Sequence, residues 1–402
     1  MRGIITANPG DDLEQIFRDH HGFRKLILGP GKYEISNLLT IDWDNVTIKG
    51  SSTSEMVHIH QTNSEADGIS LIGASNIKIK NLSLHVTYSK KVALVVASSH
   101  NTLVRNCQFY GNQDFFTIYY AGPSDIRAGL ETLTAYKNGA LDLGNRFINN
   151  VVYTNFSGDS VSWSLQRDSQ FFNNVIRGGK LAVYMCQETL IDKNDIYDST
   201  SQGVFISLPC TGVTLTKNYI WHCESAGITI KPQQEHMTSD SILDHLHQQN
   251  NISIQDNAVY DNEHIGLEMN STNGCLVSNN KFIRNKFYGL YLQDCKDLII
   301  QHNLFSYFKV AIIIINSQIL QITHNQFFSV HPIVTDRALH LLTIDMGINR
   351  HNHISNNIFC GKYLTPIGDD NPNDTNFIHT NITNEYYSVK DEQRFIDPKI
   401  RL

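Results

Sequence analysis

Residues 252–270 read ISIQDNAVYDNEHIGLEMN and residues 275–293 read CLVSNNKFIRNKFYGLYLQ. Each stretch places one short alternating segment before an asparagine and a second after it. A third follows a glycine nine residues further on, at Asn257 to Gly266 and again at Asn280 to Gly289. Alternation over so few residues is the pattern of strands with one buried face. The Asn-x-aromatic/aliphatic motif recurs at Asn81, Asn106, Asn145, Asn174, Asn194, Asn218, Asn257, Asn280, Asn303, Asn325 and Asn357, with spacings of 20, 24, 23, 23 and 22 residues in its regular stretches. A unit of this length cannot bury its apolar face alone and must stack on its copies. Three short strands per unit, joined by an asparagine turn and a glycine turn, predict an all-β, single-stranded, right-handed parallel β-helix. Its coils would be spaced by about 4.8 Å, with each asparagine amide bonded to its copies above and below.

One domain over residues 1–402 follows. Residues 1–25 form an N-terminal cap around DDLEQIFRDHHG, with Leu13, Ile16 and Phe17 on one helical face. Residues 26–360 supply the coils, interrupted by insertions at 121–139 and 232–250, and residues 361–402, where the period fades, form an irregular C-terminal cap.

Composition narrows the partners. Charged residues are only 18% of the chain, the net charge is −7 and there is no Lys/Arg cluster, so no nucleic-acid partner is expected. No apolar run approaches the 18 or so residues that span a bilayer, and MRGIITANPGDDLEQ lacks the apolar core of a leader. A membrane partner is therefore not expected, and the compartment reads as the cytoplasm or export without a recognisable signal peptide. Seven scattered cysteines, an odd number, read as free packing thiols. The run Val310 to Ile315 is apolar on both faces and points to a covered surface, such as a contact in a homotrimer or other homo-oligomer.

The asparagine repeat, over about three quarters of the chain, resembles that of the pectate-lyase-like right-handed parallel β-helix superfamily. The resemblance implies a carbohydrate-active protein with a polysaccharide or oligosaccharide partner. The clustered aspartates of a Ca²⁺-assisted pectate lyase, the Asn-Thr-Asp and Gly-His-Gly of polygalacturonase-like enzymes and the Asp-Pro-His-Asp of mannuronan epimerases are all missing. No cofactor is implied, and Ca²⁺ has no ligand set in the pattern. Asp256-Asn257 followed by Leu267-Glu268-Met269 is similar to the carboxylate pair of inulin fructotransferases, with one residue more between the two acids.

Counting alternation behind the glycines puts Val204, Ile206, Ile228, Ile230, Leu267, Met269, Leu290 and Leu292 inside. Phe205, Ser207, Thr229, Lys231, Glu268, Asn270, Tyr291 and Gln293 then face outward, with Thr117, Tyr119, Ser162, Ser164 and Tyr184 extending the column upstream. Aromatic faces stack on pyranose rings and amides bind hydroxyls, so Tyr291, Asn270, Gln293, Phe205, Thr229, Tyr184 and Ser162 are the candidate substrate-binding residues. Both insertions leave the coil after the outward strand and would wall one face. Lys231 and Glu268, expected to be close neighbours, are a salt bridge or an acid/base pair. Arg167, Asp168 and Glu188 border the same face, with Glu188 the second carboxylate that glycosidic hydrolysis would need. The second insertion adds Glu235, His236, Asp240, Asp244, His245 and His247, types able to move protons but without a metal-binding spacing. Hydrolysis or transfer, elimination and epimerisation all stay open as reactions, and a non-catalytic scaffold or carbohydrate-binding adhesin stays open as the other class.

Overall fold

A computed structural model describes residues 3–52, 55–123, 135–156, 158–232, 250–329, 337–344, 347–370 and 375–384. Two compact units are distinguished, Met1–Ser201 and Gln202–Leu402. Each is built from the same coil of three strands, and every strand pair within a unit is parallel. We call first, second and third the sheets formed by the strand entering the asparagine turn, the strand leaving it and the strand after the glycine.

In the first unit these sheets run from Ile4–Ala7 to Leu190–Asp192, from Gly31–Ile35 to Asp195–Tyr197 and from Leu39–Ile41 to Lys180–Tyr184. The helix Leu13–Asp19 is capped by Asp12, whose side chain accepts from the Gln15 N–H at 3.0 Å, and it buries Leu13 and Phe17. A strand already precedes this helix, so the coil begins earlier than residue 26. In the second unit the sheets run from Thr214–Thr216 to Phe377–His379, from Tyr219–Trp221 to Ile382–Asn384 and from Val204–Leu208 to Ile367–Asp369. Here too the coil outlasts its sequence pattern. Ile367–Asp369, Phe377–His379 and Ile382–Asn384 extend the three sheets into the region expected to be an irregular cap.

The asparagine ladder of the second unit runs Asn218, Asn257, Asn280, Asn303, Asn325, Asn357, Asn381, and from Asn257 onward each side-chain oxygen accepts from the backbone and amide N–H groups of the asparagine one coil before. The residue before each rung turns the chain by adopting φ near +55°, as at Asp256, Asn279, His302 and His324. Asn, Asp and His tolerate that conformation better than other side chains. Two residues after the rung the side chain again points inward, which explains the motif's aromatic. Phe282, Phe305, Phe327 and Phe359 stack down the core at 5.2, 5.0 and 4.8 Å. Glycine opens the third strand because the chain presses on this column. A Cβ at Gly266 would lie 2.6 Å from the Gly289 carbonyl oxygen and 2.7 Å from the Phe282 ring.

In the first unit the rungs are Asn150, Asn174 and Asn194. Three motif asparagines there occupy other places. Asn81 and Asn106 are the left-handed residues ahead of the rung and join Asn149 and Asn173 in a second ladder on the outside. Asn145 precedes a first-sheet strand, Arg146–Ile148, and bonds Thr102 and Gln166 instead. All seven cysteines are free and buried. Ile313 and Ile315, on the outward side of Val310–Ile315, are buried within the single chain, so their apolar character needs no second subunit to account for it. Among the described residues no helix is long and apolar enough to cross a membrane.

Candidate functional site

Alternation in the third strand decides which side chains leave the core of the second unit. Val204, Ile206, Ile228, Ile230, Leu267, Met269, Leu290 and Leu292 are fully buried inside. On the outward side, register runs Phe205, Thr229, Glu268 and Tyr291 in one row, and sets Ser207 beside Lys231 and Asn270 beside Gln293. Glu268 therefore faces Thr229 rather than Lys231. Lys231 lies on the strand before Glu268 but two residues further along than its partner in register, and among the described residues no ion pair joins the two.

Both Glu268 oxygens are held. Thr229 Oγ1 donates to Oε2 at 3.1 Å and Asn270 Nδ2 donates to Oε1 at 3.0 Å. Beside it, the Tyr291 hydroxyl donates to Gln293 Oε1 at 3.0 Å. Burial, and then the negative charges of Glu268 and Asp294 with the Tyr288 phenol, push the Tyr291 pKa above its ordinary value. Asp294, which sequence reasoning missed, takes the left-handed turn after this strand and accepts from Gln293 Nε2 at 3.2 Å. Phe205 is buried. Asp256 stands in the turn between first and second sheets and Glu268 in the third sheet, so the chain does not assemble the carboxylate pair that the fructotransferase resemblance implied.

In the first unit the outward side of the third sheet is packed over. Ser162 is fully buried and shares a hydrogen bond with Ser164 at 3.0 Å, while Tyr119 packs with Val92, Ala121, Phe115 and Phe116. Tyr184 is buried and donates to Asp159 Oδ2 at 2.5 Å, and Lys180 Nζ meets Asp159 Oδ1 at 3.1 Å. Arg167 ends the two-residue strand Gln166–Arg167, which pairs with Asp142–Leu143 outside the three main sheets, and Asp168 and Glu188 are exposed left-handed turn residues, with Arg167 Nε 3.9 Å from Asp168 Oδ2. The histidine-bearing stretch, with Glu235, His236, Asp240, Asp244, His245 and His247, lies outside the described residues.

A cleft of about 900 Å³ opens in the first unit where the second sheet turns toward the third, and sequence reasoning did not foresee it. Its lining includes Thr87, Ser89, Tyr110, Asn112, Asp114, Tyr153, Asn155, Arg177 and Asp198. Tyr110 and Tyr153 stack at 4.8 Å in register, and Arg177 follows in the same row, 6.0 Å from the Tyr197 ring and 3.6 Å from Asp198. Hydrogen bonds from Ser89 Oγ at 2.5 Å and Lys90 N at 3.1 Å hold the Asp114 pKa below the ordinary carboxylate value. The missed signal was the aromatic three residues past the rung, at Tyr153, Tyr197, Trp221 and Tyr260, which alternation turns outward.

The match to known proteins follows this geometry. Residues 132–245 and 244–359 fit the family model described as the right handed beta helix region. This chain belongs to the right-handed β-helix family. As a right-handed β-helix it is similar to the A-module of mannuronan C-5 epimerase AlgE6 from Azotobacter vinelandii, with TM-score 0.56, 12% identity and 93% of each chain covered. It is similar also to the catalytic domain of a GH87 α-1,3-glucanase in complex with nigerose, with TM-score 0.51, 12% identity, and 94% of this chain and 69% of that chain covered. A third similar structure is the Dettilon tailspike protein, with TM-score 0.51, 11% identity, and 87% and 62% covered. No curated protein matches. At these identities the β-helix shares its fold with those proteins, and its chemistry must be argued from its own residues.

Proposed function

We propose that the protein is a carbohydrate-active enzyme that binds an oligosaccharide or polysaccharide and breaks or transfers a glycosidic bond, with Glu268 as its acid/base. The observation that carries this reading is geometric: Glu268, held by Thr229 and Asn270, stands beside Tyr291 in register, and Asp294 occupies the turn that ends the Tyr291 strand. Glycosidic cleavage needs two carboxyl groups about one bond, a proton donor to the leaving oxygen and a base or nucleophile opposite. Glu268 is the half-buried member, aimed by Thr229 and Asn270, and orientation of that kind is what a positioned proton transfer requires. Asp294, exposed and at the turn, is its partner. Tyr291, Asn270 and Gln293 supply a ring and amides for a sugar. Elimination or epimerisation would call for a cation against the substrate carboxylate, and Lys231 is the residue on this face that could provide it.

The cleft of the first unit offers binding chemistry of the same class. Its stacked tyrosines present ring faces, and Asn112, Asn155 and Arg177 present polar groups. The related folds in known proteins include an epimerase named for mannuronan and a glucanase holding nigerose, which makes a glycan the first ligand to try.

The test is a panel of neutral and uronate glycans incubated with the full chain. Reducing ends report hydrolysis, transfer products report transglycosylation, and ultraviolet absorbance of unsaturated products reports elimination. New reducing ends or transfer products that vanish in Glu268→Gln support the proposal. Activity unchanged in Glu268→Gln removes Glu268 from the reaction, unsaturated products overturn the choice of hydrolysis or transfer, and silence over the panel favours a scaffold.

A further inference from the structure

In the first unit, outside the face and the cleft argued above, three histidines converge on the outward side of the second sheet. His58 and His60 alternate on the strand Val57–Gln61, so both leave the core, and His85 comes from the next coil at the end of Leu82–His85. Register pairs His60 with His85 directly and sets His58 beside Ser83. Each of the three offers one ring nitrogen, and these atoms all lie within 4.8 Å of one another. His58 Nδ1 and His85 Nε2 are 3.4 Å apart. Two nitrogens bound to one tetrahedral ion at about 2.05 Å stand about 3.3 Å apart, so this pair is already at ligand spacing. The His60 ring lies flat against His85, at 4.2 Å and 3°, and turning it about χ2, a soft torsion, brings its nitrogen to the same point.

The surroundings fit such a site. All three side chains are half-buried, and Tyr110 stacks on the far side of His85 at 4.3 Å. The Ser83 hydroxyl lies 2.8 Å from His85 Nε2, the nitrogen that faces His58, and has to turn away from it when that nitrogen takes the ion. Lys32 and Glu34, on the preceding strand, are in register with His58 and His60 but pair with each other at 2.7 Å. The donor set is thus three imidazoles, which select a borderline transition metal over Ca²⁺ or Mg²⁺.

We propose that His58, His60 and His85 form a binding site for a Zn²⁺-class ion, with three imidazole ligands and a fourth position left to water or an external donor. Three protein ligands with one open position is the arrangement in which a zinc ion can act on a bound molecule rather than merely brace a fold.

The experiment is a titration of the full-length, chelator-stripped protein with Zn²⁺ by calorimetry and with Co²⁺ by visible absorption, in parallel with a His58→Ala/His60→Ala/His85→Ala variant. The expected result is a site of one equivalent, with the intense visible bands of tetrahedral Co²⁺, that weakens at least about 100-fold in the variant. The chain holds 18 histidines, so binding that the variant retains unchanged would assign the ion elsewhere and overturn the proposal. Should the triple variant fail to fold, His60→Gln, which keeps a planar polar side chain, takes its place with the same expectation. In crystals soaked with ZnCl₂, an anomalous peak between the three rings supports the site, and a peak elsewhere or none refutes it.

Discussion

Replacing Asn280 by alanine should cost about 2.5 to 6 kcal/mol of stability, and the figure can be built from its four hydrogen bonds. Asn280 Oδ1 accepts from Asn257 N at 3.0 Å and from Asn257 Nδ2 at 2.9 Å, while its own Nδ2 donates to Ile254 O at 2.8 Å and to Asn303 Oδ1 at 3.0 Å. The residue is buried, so the groups it leaves behind cannot turn to bulk water. The Asn257 backbone N–H loses the side-chain acceptor it has here, and a buried orphan of that kind costs about 1–3 kcal/mol. The Asn257 amide keeps Leu215 O and Asn303 Oδ1 keeps the Asn280 N–H, so these lose a share of their bonding, about 0.5–1 kcal/mol each, with Ile254 O similar. The internal control is the next residue in the chain. Asn279 is exposed at φ 56°, and Asn279→Gly keeps that conformation open, so it should change stability by only a few tenths of a kcal/mol. Urea unfolding by far-ultraviolet circular dichroism measures both. If Asn280→Ala falls within about 0.5 kcal/mol of wild type, or Asn279→Gly costs as much as it does, the inner ladder does not hold the coils together in the way argued.

Gly266→Ala should destabilise the chain by about 1–3 kcal/mol, because its Cβ would meet the Gly289 carbonyl and the Phe282 ring, and a thermal melt that does not shift would contradict the packing described. Asp142 supplies a pH test. Burial pushes its pKa up to about 7 against the opposing Ser99 N–H, whereas the unfolded chain holds it near 3.9. Between those values the folded state binds the extra proton, so this contribution is full below about pH 4 and is lost as pH rises toward 7. Asp142→Asn should therefore gain on wild type as pH rises, by up to about 4 kcal/mol at pH 8, and equal urea midpoints for the two proteins at pH 5 and pH 8 would rule the effect out. Glu268→Gln should lower glycan turnover at least about 100-fold with an unchanged melting temperature. Tyr153→Ala should weaken glycan binding about 3- to 10-fold, read by calorimetry, if its ring is a stacking platform of the cleft.

The coil was legible because its geometry repeats in a small alphabet. Asn280, Phe282 and Gly289 each answer to one physical need, a satisfied buried turn, an inward ring and room for the chain, and neighbouring coils must answer in the same way. Where the alphabet is shared by two positions of one turn, the reading slips. Asn106 looks like a rung but is the left-handed residue before it, and Cys107 takes the rung position, its N–H donating to Asn150 Oδ1 at 2.9 Å. Asn145 misleads by a whole turn, since an asparagine before a first-sheet strand and one before a second-sheet strand leave the same local pattern. At the chain ends the pattern fades before the strands do. The strand Phe377–His379 is exposed throughout, and an exposed strand shows no alternation between buried and open faces to read.

The site was harder for a reason that lies in the same geometry. Alternation assigns a side chain to the outward side but not to the open air, and the two units use that side differently. Ser162 and Tyr184 face outward and are buried, one bonded to Ser164 and the other to Asp159, while Glu268 and Tyr291 face outward and stay half-open. Register adds a second condition that spacing cannot supply. Two residues along a strand move a side chain from one row to the next, which is the whole difference between Glu268 meeting Lys231 and meeting Thr229. The histidine cluster shows the same rule succeeding by accident of order. His60, His85, Tyr110 and Tyr153 share one row although no constant interval joins them in sequence, because loops of different length separate coils that the ladder holds in step. Function on such a scaffold is written in rows across coils, and a row becomes readable only once the ladder has fixed which residue stands above which.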